Sequence, residues 1–156
     1  MAYSTVALSG SGTKTFVQDP ADNTRWIYLE NALTIGAIES KRGFIETTPL
    51  GSENKTFIAG DDEVQQSEIS FNNILGNASN KFFHDLAVAK AAVDLRIEMK
   101  NGMRIDVNVS LAGYGMNEAS RTEAYKIMYP YQRNGEPVLS EWDTATEAAD
   151  LSDPSV

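Results

Sequence analysis

The chain has 156 residues, enough for one domain with a sizeable core. It holds 22 acidic against 13 basic side chains, a net charge of −9, one histidine and no cysteine. Cysteine-free composition excludes disulfides, thiolate metal sites and cysteine nucleophiles, and a balance this acidic argues against a surface that grips nucleic acid. No cluster of Lys and Arg exceeds Lys41-Arg42, and no apolar run approaches a membrane span.

Met1 to Thr5 lacks a basic region followed by an apolar core, so no secretory signal is expected. Ser9-Gly10-Ser11-Gly12-Thr13 reads as an arm or loop. Gly10 to Thr15 is no phosphate loop: the motif needs glycine where Thr13 and Leu8 stand. Thr24 to Leu29, Leu33-Thr34-Ile35 and Gly43-Phe44-Ile45 read as short strands. From Thr47 to Glu63 the chain turns polar, with Pro49, Gly51 and Gly60, and only Leu50, Phe57 and Ile58 supply large apolar side chains. That is a long loop for a compact domain, and such loops are functional or disordered. Asp61-Asp62-Glu63 lacks the alternating ligand spacing of a calcium loop.

Alternation resumes from Val64 to Ile74, with Ser67, Ile69 and Phe71 on one side and Glu68, Ser70 and Asn72 on the other. A single helix is expected from Ser79 to Ala91, capped from Asn77 to Asn80. Its apolar stripe is Phe82, Leu86, Ala89 and Val93, widened by Phe83 and Ala87. His84 lies inside it and fits a packing or surface position better than a catalytic base.

Leu95 to Leu111 carries the clearest pattern. Leu95, Ile97 and Met99 alternate with Arg96, Glu98 and Lys100; Met103, Ile105, Val107 and Val109 alternate with Arg104, Asp106, Asn108 and Ser110. A two-residue loop would set Met99 against Arg104 and scramble the faces. A three-residue loop, Lys100-Asn101-Gly102, sets Ile97 against Ile105 and Leu95 against Val107, which predicts a type I turn with Gly102 left-handed. The final strand is expected from Thr122 to Tyr131, with Tyr125, Ile127, Tyr129 and Tyr131 on one side and Pro130 marking an edge. Asn134-Gly135-Glu136-Pro137 reads as a turn, and 143–156, with four acids and no basic residue, as a flexible tail. The domain is thus 1–142, with a flexible N-terminal arm and the 47–63 loop.

Strands, one helix, then strands point to a mainly β chain: an antiparallel β-sandwich or barrel with one flanking helix. Neither metal-ligand clustering nor a nucleophile–base pair stands out, so no enzyme and no cofactor are expected. A small-molecule barrel, with the greasy hairpin face and the tyrosine strand lining a pocket, is a second reading. A hydrolase using carboxylates is a third, with no acidic pair singled out.

The pattern resembles the tail tube (major tail) proteins of long-tailed bacteriophages. Three pieces carry the likeness: Ile45 to Ser52 followed by Phe57 to Glu63; Ser67 to Asn73 followed by the helix; and the Asn101-Gly102 hairpin followed by Tyr125 to Gly135. The resemblance spans roughly 24–138. It implies six-membered rings whose sheets join into a lumenal barrel, stacked into a tube that conducts the genome, in a virion tail assembled in the host cytoplasm. It also implies self-association, with tape-measure, tail-tip and terminator proteins as partners, while DNA passes without specific binding and no membrane span is used. Related secretion tubes or tail-completion rings share that architecture. Subunit contacts are expected at Thr47, Thr48, Pro49, Leu50, Phe57, Ile58, Asp61, Asp62 and Glu63. The lumen is expected at Arg96, Glu98, Arg104, Asp106 and Asn108, or equally at Glu68, Ser70 and Asn72.

Overall fold

The computed structural model describes residues 12–30, 32–39, 41–63, 66–72, 77–117, 121–122, 125–141 and 144–151. In chain order the elements are β1 (Lys14–Asp19), β2 (Asp22–Tyr28), β3 (Ala32–Ile35), β4 (Lys41–Glu46), β5 (Phe57–Glu63) and β6 (Gln66–Asn72). There follow α1 (Ala78–Val88), β7 (Ala92–Glu98), β8 (Met103–Leu111), β9 (Gly115–Met116) and β10 (Lys126–Glu141). One sheet runs β2-β1-β7-β8-β10-β6-β3, with β9 against β10, and β4 pairs with β5 alone. Ile27 near one end of the sheet and Ile69 near the other lie in a single buried cluster with Leu95, Val109 and Tyr129. The sheet therefore curls over one core, and the fold is an antiparallel β-sandwich or barrel with one helix packed on it.

The hairpin forms with the expected register. Leu95 pairs with Val107 and Ile97 with Ile105. The Met99 N–H donates to the Met103 carbonyl at 2.8 Å, and Gly102 sits at φ 90°. Glycine pays no Cβ penalty there, so the three-residue loop keeps all the aliphatic side chains on one face.

The helix begins where the Asn77 side chain accepts from the Ser79 and Asn80 N–H groups, at 3.0 and 3.4 Å. It stops at Val88, three residues before the expected Ala91. Lys90 takes φ 55°, and the Lys90 and Ala91 N–H groups return to the Ala87 and Leu86 carbonyls at 3.1 Å each. That is a Schellman end built on lysine, so no glycine marks it in the sequence. The buried stripe is also rotated: Asn80, Phe83 and Ala87 face the core, Phe82 and Leu86 are half-buried, and Ala89 is exposed. Val93 is buried in β7 instead. Phe83 meets Phe71 and Tyr129 with ring centroids 5.5 and 5.0 Å away, and His84 Nδ1 lies 3.0 Å from the Tyr129 hydroxyl. Burial, with help from Asp85 and Tyr114, pushes the Tyr129 phenol up to about 12.

The structure departs from the sequence reading at five further points. Lys14–Asp19 is a strand, carried by Thr15-Phe16-Val17, all buried. The final strand starts at Lys126, not Thr122, and runs on to Glu141. Asn134 to Pro137 is a bulge within it: β10 advances from Asn134 to Val138 while β8 moves only from Asn108 to Asp106, with Gly135 at φ 73°. Pro130 is no edge marker, since β10 lies between β8 and β6. Its missing N–H falls where β10 changes neighbours, after β9 at Met128 and before β8 at Tyr131. The expected 47–63 loop shrinks as well, because Phe57–Glu63 pairs with β4. Of the expected arm Ser9 to Thr13, residues 9–11 lie outside the described residues, as do Val64, Asn73 and Ile74 of the expected 64–74 strand.

Candidate assembly surfaces

The β4–β5 ribbon contributes nothing to the core cluster. Phe44 is 79% exposed, and Ile45, Phe57 and Ile58 are 54–55% exposed. The register sets Ile45 against Ile58 and Phe44 against Ala59, so alternating side chains leave apolar groups on both faces of the ribbon. A lone two-stranded ribbon is marginal in water, and an exposed apolar patch of this kind marks a partner surface.

Its tip is fastened internally. Thr47 N–H donates to the Thr56 carbonyl at 2.9 Å, Thr56 N–H to the Thr48 hydroxyl at 3.0 Å, and Ser52 N–H to the Pro49 carbonyl at 3.0 Å. Of the expected contact residues, Thr47, Thr48, Pro49 and fully exposed Leu50 lie in this tip. Phe57, Ile58, Asp61, Asp62 and Glu63 lie along β5, the last two in register with Arg42 and Lys41. Sequence reasoning missed Phe44 and Ile45. Their alternation looks like any short strand, and only the missing core neighbours set them apart.

The two sets proposed for a lumen share one face of the sheet. Strand β10 joins them, with Met128 opposite Ser70, Pro130 opposite Glu68 and Lys126 opposite Asn72 on one side, and Asn134 opposite Asn108 on the other. Beyond β8, Asn108 faces Asp94, Asp106 faces Arg96 and Arg104 faces Glu98. All point away from the core. Two ion pairs lie there: Arg96 Nε donates to Asp106 Oδ1 at 2.7 Å and Arg104 Nη2 to Glu98 Oε1 at 3.3 Å. Amides join in, Asn108 Nδ2 donating to Asp94 Oδ1 at 2.8 Å and Asn134 Nδ2 to Asn108 Oδ1 at 2.9 Å. The Thr34 and Ser70 hydroxyls bond to each other.

Glu98 is the exception on this face, at 3% exposure. Residues 144–151, expected to belong to a free tail, cross that end of the face: Glu98 accepts from the Thr146 N–H at 2.8 Å and from its hydroxyl. Ala149 and Leu151 continue onto the core.

A cleft of about 450 Å³ opens between the hairpin end and β3, lined by Leu33, Ile35, Ile38, Ile97, Met99 and Ile105 among others. Tyr129 and Tyr131, expected to line such a pocket, are instead buried in the core. Among the described residues, no group of three His, Asp or Glu side chains is placed to hold a metal ion, and no helix is long and apolar enough to cross a membrane.

No family model and no curated protein matches the chain. Solved structures do. A chain of the anti-feeding prophage baseplate, from a six-fold symmetrised cryo-EM structure, superposes with TM-score 0.72 at 9% identity, over 90% of this chain and 99% of that one. A chain of the SPP1 tail tube gives 0.68 at 13% identity, over 93% of this chain and 83% of that one. A chain of the sheath-tube complex of the extracellular contractile injection system PVC gives 0.68 at 11% identity, over 88% and 94%. The fold is the tail-tube fold, and the likeness covers nearly the whole chain.

Proposed function

We propose that this chain is a structural subunit that assembles with copies of itself into six-membered rings, stacked as a tail tube through which a genome passes. The observation that carries the reading is the apolar β4–β5 ribbon. It stands clear of the core, on a fold shared along nine-tenths of the chain with components of tubes and baseplates. Such a ribbon gains stability only against another molecule, and further copies supply one. In this reading the ribbon and its tip make the contacts between rings, through Leu50, Phe57 and Ile58 with Phe44 and Ile45 added. The polar face of β7, β8, β10 and β6 lines the bore. Its arginines, Arg96 and Arg104, are held in ion pairs, so the face offers a passing polyanion no large basic footprint. Tape-measure, tail-tip and terminator proteins are the proposed partners, the tail the proposed location, and the role structural, not catalytic.

Negative-stain electron microscopy of the purified protein across a concentration series, with light scattering alongside, tests this. Rings or hollow tubes, either spontaneous or after addition of a tail-tip complex, are the expected result. A monomer at every concentration and with that complex present refutes it. The apolar cleft favours a second reading, a small-molecule binding barrel. That reading predicts a persistent monomer whose melting temperature rises with an apolar ligand.

A further inference from the structure

Strand β2 ends the sheet, so one of its edges has no strand beside it among the described residues. The 144–151 segment covers that edge. Trp26 and Ala148 form a parallel bridge, and the Ala149 N–H donates to the Trp26 carbonyl at 2.8 Å. Just before the bridge, the segment is pinned to the polar face. Arg104 Nη2 donates to the Thr144 carbonyl at 3.2 Å, and Arg96, stacked 4.0 Å over the Trp26 ring, donates to the Thr146 hydroxyl at 3.3 Å. Glu98 accepts from both donors of Thr146. Just after it, Ala149 and Leu151 pack on the core, and the segment ends beside the start of α1. The chain thus wraps from the polar face, around the β2 edge, to the helix side.

This is a cover and not a strand of the sheet. It makes one isolated bridge, and that bridge is parallel, whereas β1 to β3 and β6 to β10 pair antiparallel throughout. Alanine and acidic residues dominate 145–150, and neither favours a strand. The opposite end of the sheet, β3, carries a second edge, where Leu33 is exposed. Each copy therefore has two unlike edges, and unlike edges pair head to tail, which is the arrangement that closes rings.

We infer that the β2 edge is a pairing surface for the edge strand of a second copy, and that 144–151 guards it within the free subunit. The inference rests on the tube reading proposed above. An open edge invites indiscriminate pairing, and a guard held by one bridge and a few side-chain hydrogen bonds, without a strand ladder, blocks this and can still be exchanged. An arriving neighbour replaces that bridge with a ladder of several bonds. Glu98 and Arg104, whose partners lie partly on the segment, are freed at the same step.

The absence of cysteine makes a clean test. Trp26→Cys with Ala148→Cys places one thiol on each bridge partner, and oxidation ties the guard to the edge. The oxidised variant is expected to form neither rings nor tubes, and the same sample after reduction is expected to form both. Oxidised protein that assembles at the concentration of the reduced sample overturns the inference. A chain truncated after Glu141 is the second variant. Its threshold concentration for assembly is expected to fall by roughly tenfold or more, because the guard's hydrogen bonds no longer compete with those of the neighbour. An unchanged or higher threshold counts against the guard. Native protein runs in parallel, with a tail-tip complex. If it assembles and both variants match it, the guard is refuted and the tube reading stands. Assembly by the truncated chain alone supports the guard. If native and truncated chains both stay monomeric, the tube reading itself falls and takes the guard with it.

Discussion

Replacing Ile45 and Ile58 together with threonine separates assembly from folding. The two lie side by side across β4 and β5, each a little over half exposed, and neither belongs to the core. Threonine keeps the β-branch and the strand preference while placing a hydroxyl on the surface. Full burial of an isoleucine is worth about 1.5–3 kcal/mol, and roughly half of that is still to be gained here. The pair therefore forfeits about 1.5–3 kcal/mol per subunit contact, a roughly ten- to hundredfold weaker association. The free subunit loses almost nothing, because exposed substitutions stay within about 0.5 kcal/mol, or about 2 °C in melting temperature. Pelleting and light scattering across a concentration series read the first effect, and thermal unfolding of the unassembled protein reads the second. Assembly at the native threshold refutes the ribbon as a contact. A fall of many degrees in melting temperature refutes the claim that the ribbon stands apart from the core.

Three other outcomes follow from the same structure. Phe83→Ala, which removes the ring between Phe71 and Tyr129, is expected to cost about 3–5 kcal/mol in denaturant titration. Lys90→Gly relieves the left-handed residue that ends the helix and is expected to add about 0.5–1 kcal/mol by the same measurement. Tyr129 titrates near 12 in the folded chain against an ordinary value of 10, so the unfolded chain gives up this proton first. Its contribution to stability is complete below pH 10 and is lost as pH climbs toward 12. Tyr131, raised by burial in the same direction, adds to the fall. Tyr129→Phe is expected to flatten the drop in denaturation midpoint across that window, and an equally steep drop in the variant assigns it to other groups.

Local physics made some of this fold legible in the sequence. The register of the Leu95–Leu111 hairpin follows from a period of two and an Asn-Gly turn, and both signals lie within the segment itself. The features that escaped depend on distant parts of the chain. Asn134-Gly135-Glu136-Pro137 has the composition of a chain reversal, yet β8 continues alongside and turns it into a bulge. Lys90 ends the helix through backbone bonds that any residue tolerating φ 55° can make, so no stop signal was visible. Thr144 to Leu151 reads as a polar tail until Glu98, Arg104 and Trp26 are known to lie together. The two candidate lumen faces looked like alternatives because β6 and β8 are far apart in sequence. One strand, β10, with its alternate residues in register on both sides, makes them a single surface.

The division of labour among surfaces follows from where burial is available. Helix and curled sheet bury each other's apolar faces around Phe83, Tyr129 and Ile69 in one cluster. Phe44, Ile45, Phe57 and Ile58 cannot reach that core, because β4 pairs only with β5 and the ribbon leaves the sheet after Ile35. Their apolar area is thus left out of the core that folds the chain, and in the proposed assembly it supplies the driving force for contact between copies. Polar residues dominate the face away from the core for the opposite reason: pairing Arg96 with Asp106 and Asn108 with Asp94 lets that face stay wet. In the proposed assembly, a subunit built this way folds first and associates second. Among the described residues, the segment that the proposed guard step displaces is 144–151, held by a few hydrogen bonds and two apolar contacts instead of a strand ladder.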